Sequence, residues 1–181
     1  MIGYRLDGHD NGSHAFYDRP DVRRCAACGE LLDKWNESLT RLRVRGRRKF
    51  DISATYDGVL VVSHRFRGAC EANALTGLEF TSLPRDPDFS AINSPDVVQF
   101  DAERAHTQFI NRCSTCGRYK EVIGPDPVSL KPGNTIPDRG FVRTDLEFAS
   151  GDEKHPLILC GTTTGQILKQ SGLKGLELQA I

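Results

Sequence analysis

The clearest pattern in the first half of the chain is an apolar run that gives way to helical spacing. Residues 59–62 are all apolar and predict a buried β-strand. Ser63 follows as a suitable helix N-cap, and residues 75–80 then predict a turn and a strand of alternating polarity. The positions that predict the intervening helix are Phe66, Ala69, Cys70 and Ala74.

The second half of the chain carries the same plan. Residues 157–160 form an apolar run that predicts a second buried strand. Gly161 and the threonines after it begin a predicted helix, with Ile167 and Leu168 on its inner face. Residues 173–178 then predict the returning turn and strand.

The order of these elements relates the two halves to each other. Strand patterns at 50–56 and 141–148 precede the two apolar runs, and a Cys-x-x-Cys-Gly turn precedes each of these strands. This shared order predicts an internal repeat, with the Pro/Gly-rich segment 124–140 as a loop inserted into the second copy. A chance resemblance between two short strand–helix–strand units is the alternative.

Prolines and aspartates cluster at residues 84–96 and predict a boundary there. The predicted fold class is therefore α+β with two similar halves, residues 1–90 and residues 91–181. Each half is predicted to contain a Cys-x-x-Cys-Gly zinc turn plus a strand–strand–helix–strand unit, and one zinc site is predicted to bridge the halves.

Composition places the chain among soluble globular proteins, with 38% hydrophobic and 27% charged residues. The 24 basic residues are balanced by 24 acidic ones, whereas a dedicated nucleic-acid binder usually has a basic excess. We find no secretory pattern and no apolar run that could span a bilayer. A cytoplasmic location is therefore expected, where paired cysteines are more often metal ligands than disulfides.

Four of the six cysteines have the spacing of zinc ligands. A Cys-x-x-Cys turn places two sulfurs on one ion, and zinc takes four thiolates in tetrahedral geometry. Glycine follows each pair, where it permits the positive φ that points backbone amides at a sulfur. The predicted ligands of one structural zinc ion are Cys25, Cys28, Cys113 and Cys116.

Three other interpretations of these cysteines remain open. Each turn could hold a strained disulfide, each could be a redox motif, or the cysteines could pack without a metal. Cys70 and Cys160 differ from them, because both fall in apolar patterns and are predicted to be small buried hydrophobic residues.

The strongly basic stretch is residues 41–49, in which arginine alternates with leucine and valine. The alternation puts Arg41, Arg43 and Arg45 on one face of an extended segment. Contact with phosphates is one interpretation, and a solvated edge strand with its turn is the other. The edge strand is favoured because no aromatic residue lies among the arginines to stack on bases.

Asp138, Asp152, Glu153 and Lys154 have the spacing of a metal-dependent nuclease site. Both segments also have the composition of turns, in which such residues are chosen for turn geometry. The turn interpretation is favoured, and the chain is not expected to be an enzyme.

The paired Cys-x-x-Cys-Gly turns, in a chain of this length, resemble the double-CXXCG motif immunity proteins of bacterial polymorphic toxin systems. Tyr4, Arg5 and Leu6 resemble the first strand of that family, and the Gly-Leu-Glu strands within 75–80 and 173–178 resemble its closing strands. Residues 8–24 depart from the family's pattern. The resemblance covers most of the chain, but only the cysteine turns are specific.

This resemblance implies an immunity protein that binds a cognate protein toxin, often a nuclease, and blocks it by occlusion. The acidic segments 86–103 and 145–153 are the predicted contact regions. No membrane partner and no nucleic acid are expected. The alternative function is a zinc-containing nucleic-acid-binding or regulatory module that uses residues 41–49.

Overall fold

A computed structural model of the protein describes residues 2–181, which form an α+β fold with two β-sheets and two α-helices. Neither α-helix in this range has the length and apolar character needed to cross a membrane. In chain order the elements are β1 (Tyr4–Gly8), β2 (Ile52–Ala54), β3 (Leu60–Ser63), α1 (His64–Ala72), β4 (Glu79–Ser82), β5 (Phe89–Asn93), β6 (Val97–Val98), β7 (Gln108–Arg112), β8 (Tyr119–Ile123), β9 (Phe141–Ser150), β10 (His155–Cys160), α2 (Thr162–Gln170) and β11 (Leu176–Ala180).

The larger sheet has seven strands and the smaller has four. The strand order of the larger sheet is β11-β1-β10-β9-β8-β7, with β6 pairing in parallel with β9. The smaller sheet has the order β2-β3-β5-β4, and all its pairs are antiparallel. Short 3-10 turns lie at Lys34–Asn36 and Gly151–Glu153.

A common strand order surrounds the two helices. In the smaller sheet α1 joins β3 to β4, and β5 lies between these two strands. In the larger sheet α2 joins β10 to β11, and β1 lies between them. The registers also agree at the residue that lies two positions before each helix. Val62 of β3 pairs with Ser90 of β5, and Cys160 of β10 pairs with Tyr4 of β1. Duplication of an ancestral unit remains a prediction that accounts for this agreement.

The two predicted halves are not separate bodies, because strands cross between them. β1 comes from the first half but pairs with β10 and β11 of the second half. The predicted boundary between residues 90 and 91 falls inside β5, which belongs wholly to the smaller sheet. The chain after β1 therefore leaves the larger sheet to build the smaller one and then returns.

Most predicted elements are present, and their ends have identifiable causes. The Ser63 hydroxyl accepts a hydrogen bond from the Phe66 amide and caps α1 as predicted. Gly77 and Gly175 occupy the turns before the closing strands with φ of 87° and 77°. The predicted strand at 50–56 shortens to β2, because the chain turns tightly at residues 55–58 to enter β3.

The basic segment 41–49 is not an edge strand, although its alternation is real. Leu42 and Val44 are buried, and the arginines around them are exposed. The backbone is held by side chains instead of a neighbouring strand. The Val44 amide donates to the Asp86 carboxylate over 2.6 Å, and the Arg45 amide donates to the Ser13 hydroxyl over 2.9 Å.

The central core lies between the two sheets and joins both halves. Alternate residues of β3 and β10 point into it, while the intervening residues pack on the outer faces, so both strands are buried on both sides. This double burial explains why each strand reads as a continuous apolar run. The fully or largely buried residues of the central core are Tyr4, Leu6, Ile52, Leu60, Val62, Phe66, Cys70, Ile92, Phe141, Ile158, Cys160 and Leu168.

The contact between β1 and α2 makes a testable prediction about a glycine. A Cβ at Gly165 would lie 2.1 Å from the ring of Tyr4, which is itself buried. Gly165→Ala is therefore expected to destabilise the protein by about 1–3 kcal/mol, although alanine favours helices. Urea unfolding measures the change in the free energy of unfolding.

Gly68 in α1 supplies the matched control, because a Cβ there meets no atom within 4 Å. Gly68→Ala is expected to be neutral or to stabilise the protein by up to about 1 kcal/mol. Effects of the same sign and size at both glycines would contradict the close packing of β1 on α2.

Candidate metal centre

The two Cys-x-x-Cys-Gly turns have the same backbone hydrogen bonds. In the first turn the Cys25 amide donates to the Glu30 carbonyl over 2.9 Å, and the Gly29 amide donates to the Cys25 carbonyl over 2.8 Å. The second turn repeats both bonds, with Gly117 donating to Cys113 over 2.9 Å. Gly29 and Gly117 have φ of 77° and 73°, which an L-residue with a side chain adopts only with strain.

The fold brings the four predicted ligands together, with all four Sγ atoms within 4.8 Å of one another. The short distances run between the turns, with 3.9 Å from Cys25 to Cys113 and 3.7 Å from Cys28 to Cys116. An ion about 2.3 Å from each of four tetrahedral sulfurs separates them by about 3.8 Å. The cluster therefore has the dimensions of a tetrahedral four-thiolate metal site.

Backbone amides prepare the first cysteine of each turn to be a thiolate. Hydrogen bonds from the amides of Cys28 and Ala27 lower the pKa of Cys25. In the second turn the amides of Cys116 and Thr115 act in the same way and lower the pKa of Cys113 to about 6. Such N–H···S bonds are typical of metal-binding turns, because they stabilise the negative sulfur.

Cys28 differs from Cys25 and Cys113, because its thiol is the one that keeps its proton. A hydrogen bond from the Glu30 amide lowers its pKa, but desolvation and the hydrogen bonds that its S–H group donates to the three other cysteines outweigh this and raise the pKa to about 12. Four thiolates at this distance cannot all carry charge without a counterion. A metal ion would displace the remaining protons, so that its binding depends on pH.

Arg24 and Arg112 stabilise the turns by donating hydrogen bonds to backbone carbonyls. Arg24 donates to the Gly29 carbonyl over 2.9 Å and also forms an ion pair of 2.7 Å with Asp152. Arg112 donates to the Gly117 carbonyl over 3.3 Å. Each arginine thus fixes the glycine that follows its own cysteine pair.

A buried ion pair joins the two turns behind the sulfurs, and the sequence did not indicate it. Lys154 and Glu30 are both buried, and their Nζ and Oε2 atoms are 2.5 Å apart. The same Nζ also donates to the carbonyls of Tyr119 and Lys120. These belong to the second hairpin, which is β7 and β8 with the turn at Cys113; the first hairpin is the turn at Cys25 with the paired residues Arg24 and Leu31. Lys154 thus connects the chain after Cys28 with the chain after Cys116.

A second buried lysine supports the same region. Lys34 donates to the carbonyls of Asp57, Asp152 and Lys154, and the last two bonds measure 2.8 and 2.6 Å. Burial lowers the pKa of Lys34 to about 8. Since this pKa lies above neutrality, the ammonium is charged at pH 7 and uses all three of its protons.

The residues of the hypothetical nuclease site have other structural roles. Asp138 accepts hydrogen bonds from the Thr162 hydroxyl and the Thr163 amide at the start of α2, over 2.9 and 3.0 Å. Asp152 pairs with Arg24, and Lys154 is buried against Glu30. These contacts agree with the turn interpretation of both segments.

The remaining cysteines lie in the central core. Cys70 and Cys160 are 2% and 0% exposed, and burial raises the pKa of each thiol to about 12. A thiol with so high a pKa is a poor nucleophile and a poor ligand. Both are thus the small buried residues that the apolar patterns predicted.

Compared with known proteins, the chain matches no family model and no curated protein. The resemblance to double-CXXCG immunity proteins therefore stays a prediction.

Proposed function

We propose that this protein is an immunity protein that binds a cognate bacterial toxin and blocks it by direct occlusion, on a scaffold held by one structural zinc ion. The observation that carries the proposal is the cluster of four cysteine sulfurs, because the two turns that form it are also the specific part of the resemblance. Cytoplasmic action and a protein partner are parts of the same proposal.

Zinc is the favoured ion because all four ligand atoms are sulfurs. Thiolate selects zinc over magnesium, calcium and manganese, and a site with four protein ligands has no open position for a substrate. The ion would therefore be structural. Since Cys25 and Cys113 are far apart in the sequence, their shared ion would fasten the two hairpins and make metal affinity part of the folding free energy.

The structural roles of the candidate acids favour binding over catalysis. Asp138 accepts hydrogen bonds at the start of α2, and Asp152 forms an ion pair with Arg24, which stabilises the first turn. An inhibitor needs a rigid surface that is complementary to its target, and it needs no tuned acid or base. A buried ion pair and a metal cluster at the junction of the two hairpins would supply this rigidity.

The acidic contact regions require one correction. Asp86 is buried, and its carboxylate accepts from the Val44 amide and from Arg48, so it is not free to meet a partner. The Arg48 side chain and the Val44 amide hold the pKa of Asp86 below its ordinary value, although burial opposes them. Exposed carboxylates remain in the same region at Asp88, Asp96 and Glu103.

Co-purification with the product of the adjacent gene tests the function. The zinc-loaded protein is expected to form a stable one-to-one complex with this product and to abolish its toxicity when both are expressed together. The double variant Asp88→Lys/Asp96→Lys is expected to weaken the complex at least tenfold, as charged pairs at protein interfaces do.

A matched control reverses two exposed charges elsewhere, at Glu71 and Glu79 of α1 and β4. This control should bind like the unchanged protein. Failure of the unchanged, zinc-loaded protein to bind or protect would refute the immunity function. Binding that is unaffected at Asp88 and Asp96 would exclude only this contact surface.

A further inference from the structure

A groove of about 630 Å³ lies beside the basic segment, on a part of the molecule that the metal cluster does not use. Five arginines line the groove, together with a histidine, a tyrosine, an alanine and one acidic residue, Asp18. The residues that carry the argument are Arg41, Arg43, Arg45, Arg85, His14 and Tyr17.

Most of this positive charge is uncompensated. Arg19 and Arg41 share a single carboxylate, Asp21, at 2.7 and 3.4 Å. Among residues 2–181, no carboxylate oxygen lies within ion-pair distance of Arg43, Arg45 or Arg85. Like charges in one concave site repel one another and focus a positive potential into it. An anionic ligand would relieve this repulsion.

The arginines are held in a row by the packing beneath them. Leu42 and Val44 insert into the core, so Arg41, Arg43 and Arg45 are left on the opposite, exposed face. This alternation presents three cations on the same side of the segment. The bonds of Asp86 and Ser13 to this backbone keep the row in place.

Aromatic rings stand next to this row, although none was expected from the sequence. The His14 ring lies between those of Tyr17 and Tyr56, with centroid distances of 5.2 and 5.1 Å. Tyr17 is 66% exposed and Tyr56 is 53% exposed, so these rings present apolar faces to solvent. His14 and Tyr17 line the groove together with the arginines, so the fold supplies the aromatic groups that segment 41–49 lacks.

We propose that this groove binds single-stranded nucleic acid, with phosphates at the arginine row and unpaired bases on the rings of His14 and Tyr17. A cationic groove beside exposed aromatic side chains is the combination that single strands require, because their bases are free to stack. A duplex keeps its bases stacked internally and would use only the arginines. An acidic protein segment would likewise leave the rings unused. This activity is separate from toxin binding and does not depend on it.

Fluorescence anisotropy with labelled oligothymidylate and oligouridylate of about twelve nucleotides tests the proposal. The zinc-loaded protein is expected to bind both strands more tightly than a duplex of the same length. With three or four phosphate contacts, the logarithm of the affinity should fall with the logarithm of salt concentration at a slope of about −2 to −3.

Two variants separate the contributions of charge and stacking. Arg43→Glu/Arg45→Glu is expected to lower the affinity at least tenfold and to flatten the salt dependence. Tyr17→Ala is expected to lower the affinity about tenfold with the salt dependence unchanged. The charge-matched control is Arg104→Glu/Lys131→Glu, which changes two cations that line a different groove. Zinc content and thermal unfolding show that each variant is folded.

The proposal is overturned by any of three results. The intact protein fails to bind the strands at about 50 mM salt. The control pair loses as much affinity as the groove pair, which indicates only overall charge. A polyglutamate peptide binds as well as the oligonucleotides and is insensitive to Tyr17→Ala, which would assign the groove to an acidic protein.

Discussion

Replacing Cys113 by serine is expected to release the metal ion and to lower the unfolding temperature by about 8–16 °C. This range corresponds to a loss of about 4 kcal/mol, which is typical when a metal site is lost from a domain of this size. Cys113 is the most informative ligand to change, since neighbouring amides lower its pKa to about 6 and prepare it as a thiolate. Serine keeps the size of the side chain but binds zinc poorly.

The effect should be large because the ion would connect distant parts of the chain. Cys25 and Cys113 belong to two hairpins, and the sulfurs of the two turns lie 3.7–3.9 Å apart in cross-turn pairs. Without a cation, the four crowded sulfurs could not all ionise, and no shared ion would hold the two turns together. Chelation of the unchanged protein should therefore lower the unfolding temperature to a similar extent.

Metal analysis and thermal unfolding measure this prediction, with Cys70→Ala as the control. Cys70 is a cysteine of the core and lies outside the cluster. Its removal should leave one zinc ion per chain, with the modest destabilisation of a small core cavity. If Cys113→Ser and the unchanged protein hold equal amounts of zinc, the four-cysteine site is wrong.

Replacing Lys154 by methionine is expected to destabilise the protein by about 3–5 kcal/mol, as in other buried ion pairs that lose one partner. The change would leave the Glu30 carboxylate buried without its cation. It would also remove the donor to the carbonyls of Tyr119 and Lys120 in the second hairpin. Urea unfolding of the zinc-loaded variant measures the loss.

A double variant distinguishes the loss of the pair from the loss of one charge. Lys154→Met/Glu30→Gln removes both charges, so most of the stability lost in Lys154→Met should return. Zinc content should stay at one ion per chain in both variants, because neither residue is a ligand. Additive losses in the double variant would mean that the two side chains do not interact as the structure indicates.

The local elements could be predicted because their signals lie within short stretches of sequence. The apolar runs that became β3 and β10 are buried on both faces, and Ser63 caps α1 as its position implied. The cysteine cluster was also predictable, since repetition of one turn pattern is itself evidence that the two copies share an ion. Predicting the cluster required only the chemistry of the ligands and did not require the order of the strands.

The remaining features depend on tertiary contacts that no local pattern encodes. Nothing in residues 4–8 indicates that β1 pairs with β10 and β11 and not with its neighbours in sequence. Lys154 occurs in a stretch with the composition of a surface turn, yet it is buried in an ion pair. His14 and Tyr17 come to lie beside Arg41, Arg43 and Arg45 only through the fold, so no local pattern indicated aromatic groups there.

The crossing of β1 has a consequence for synthesis on the ribosome. Residues 4–8 emerge early, but both of their partner strands, at 155–160 and 176–180, emerge much later. The smaller sheet needs only residues 52–93 and can form while translation continues. The nascent first strand must meanwhile remain unpaired, as must the early cysteine turn until its counterpart is made. The larger sheet can therefore be completed only after residues 155–180 have been made, and pairing over so long a separation is intrinsically slow.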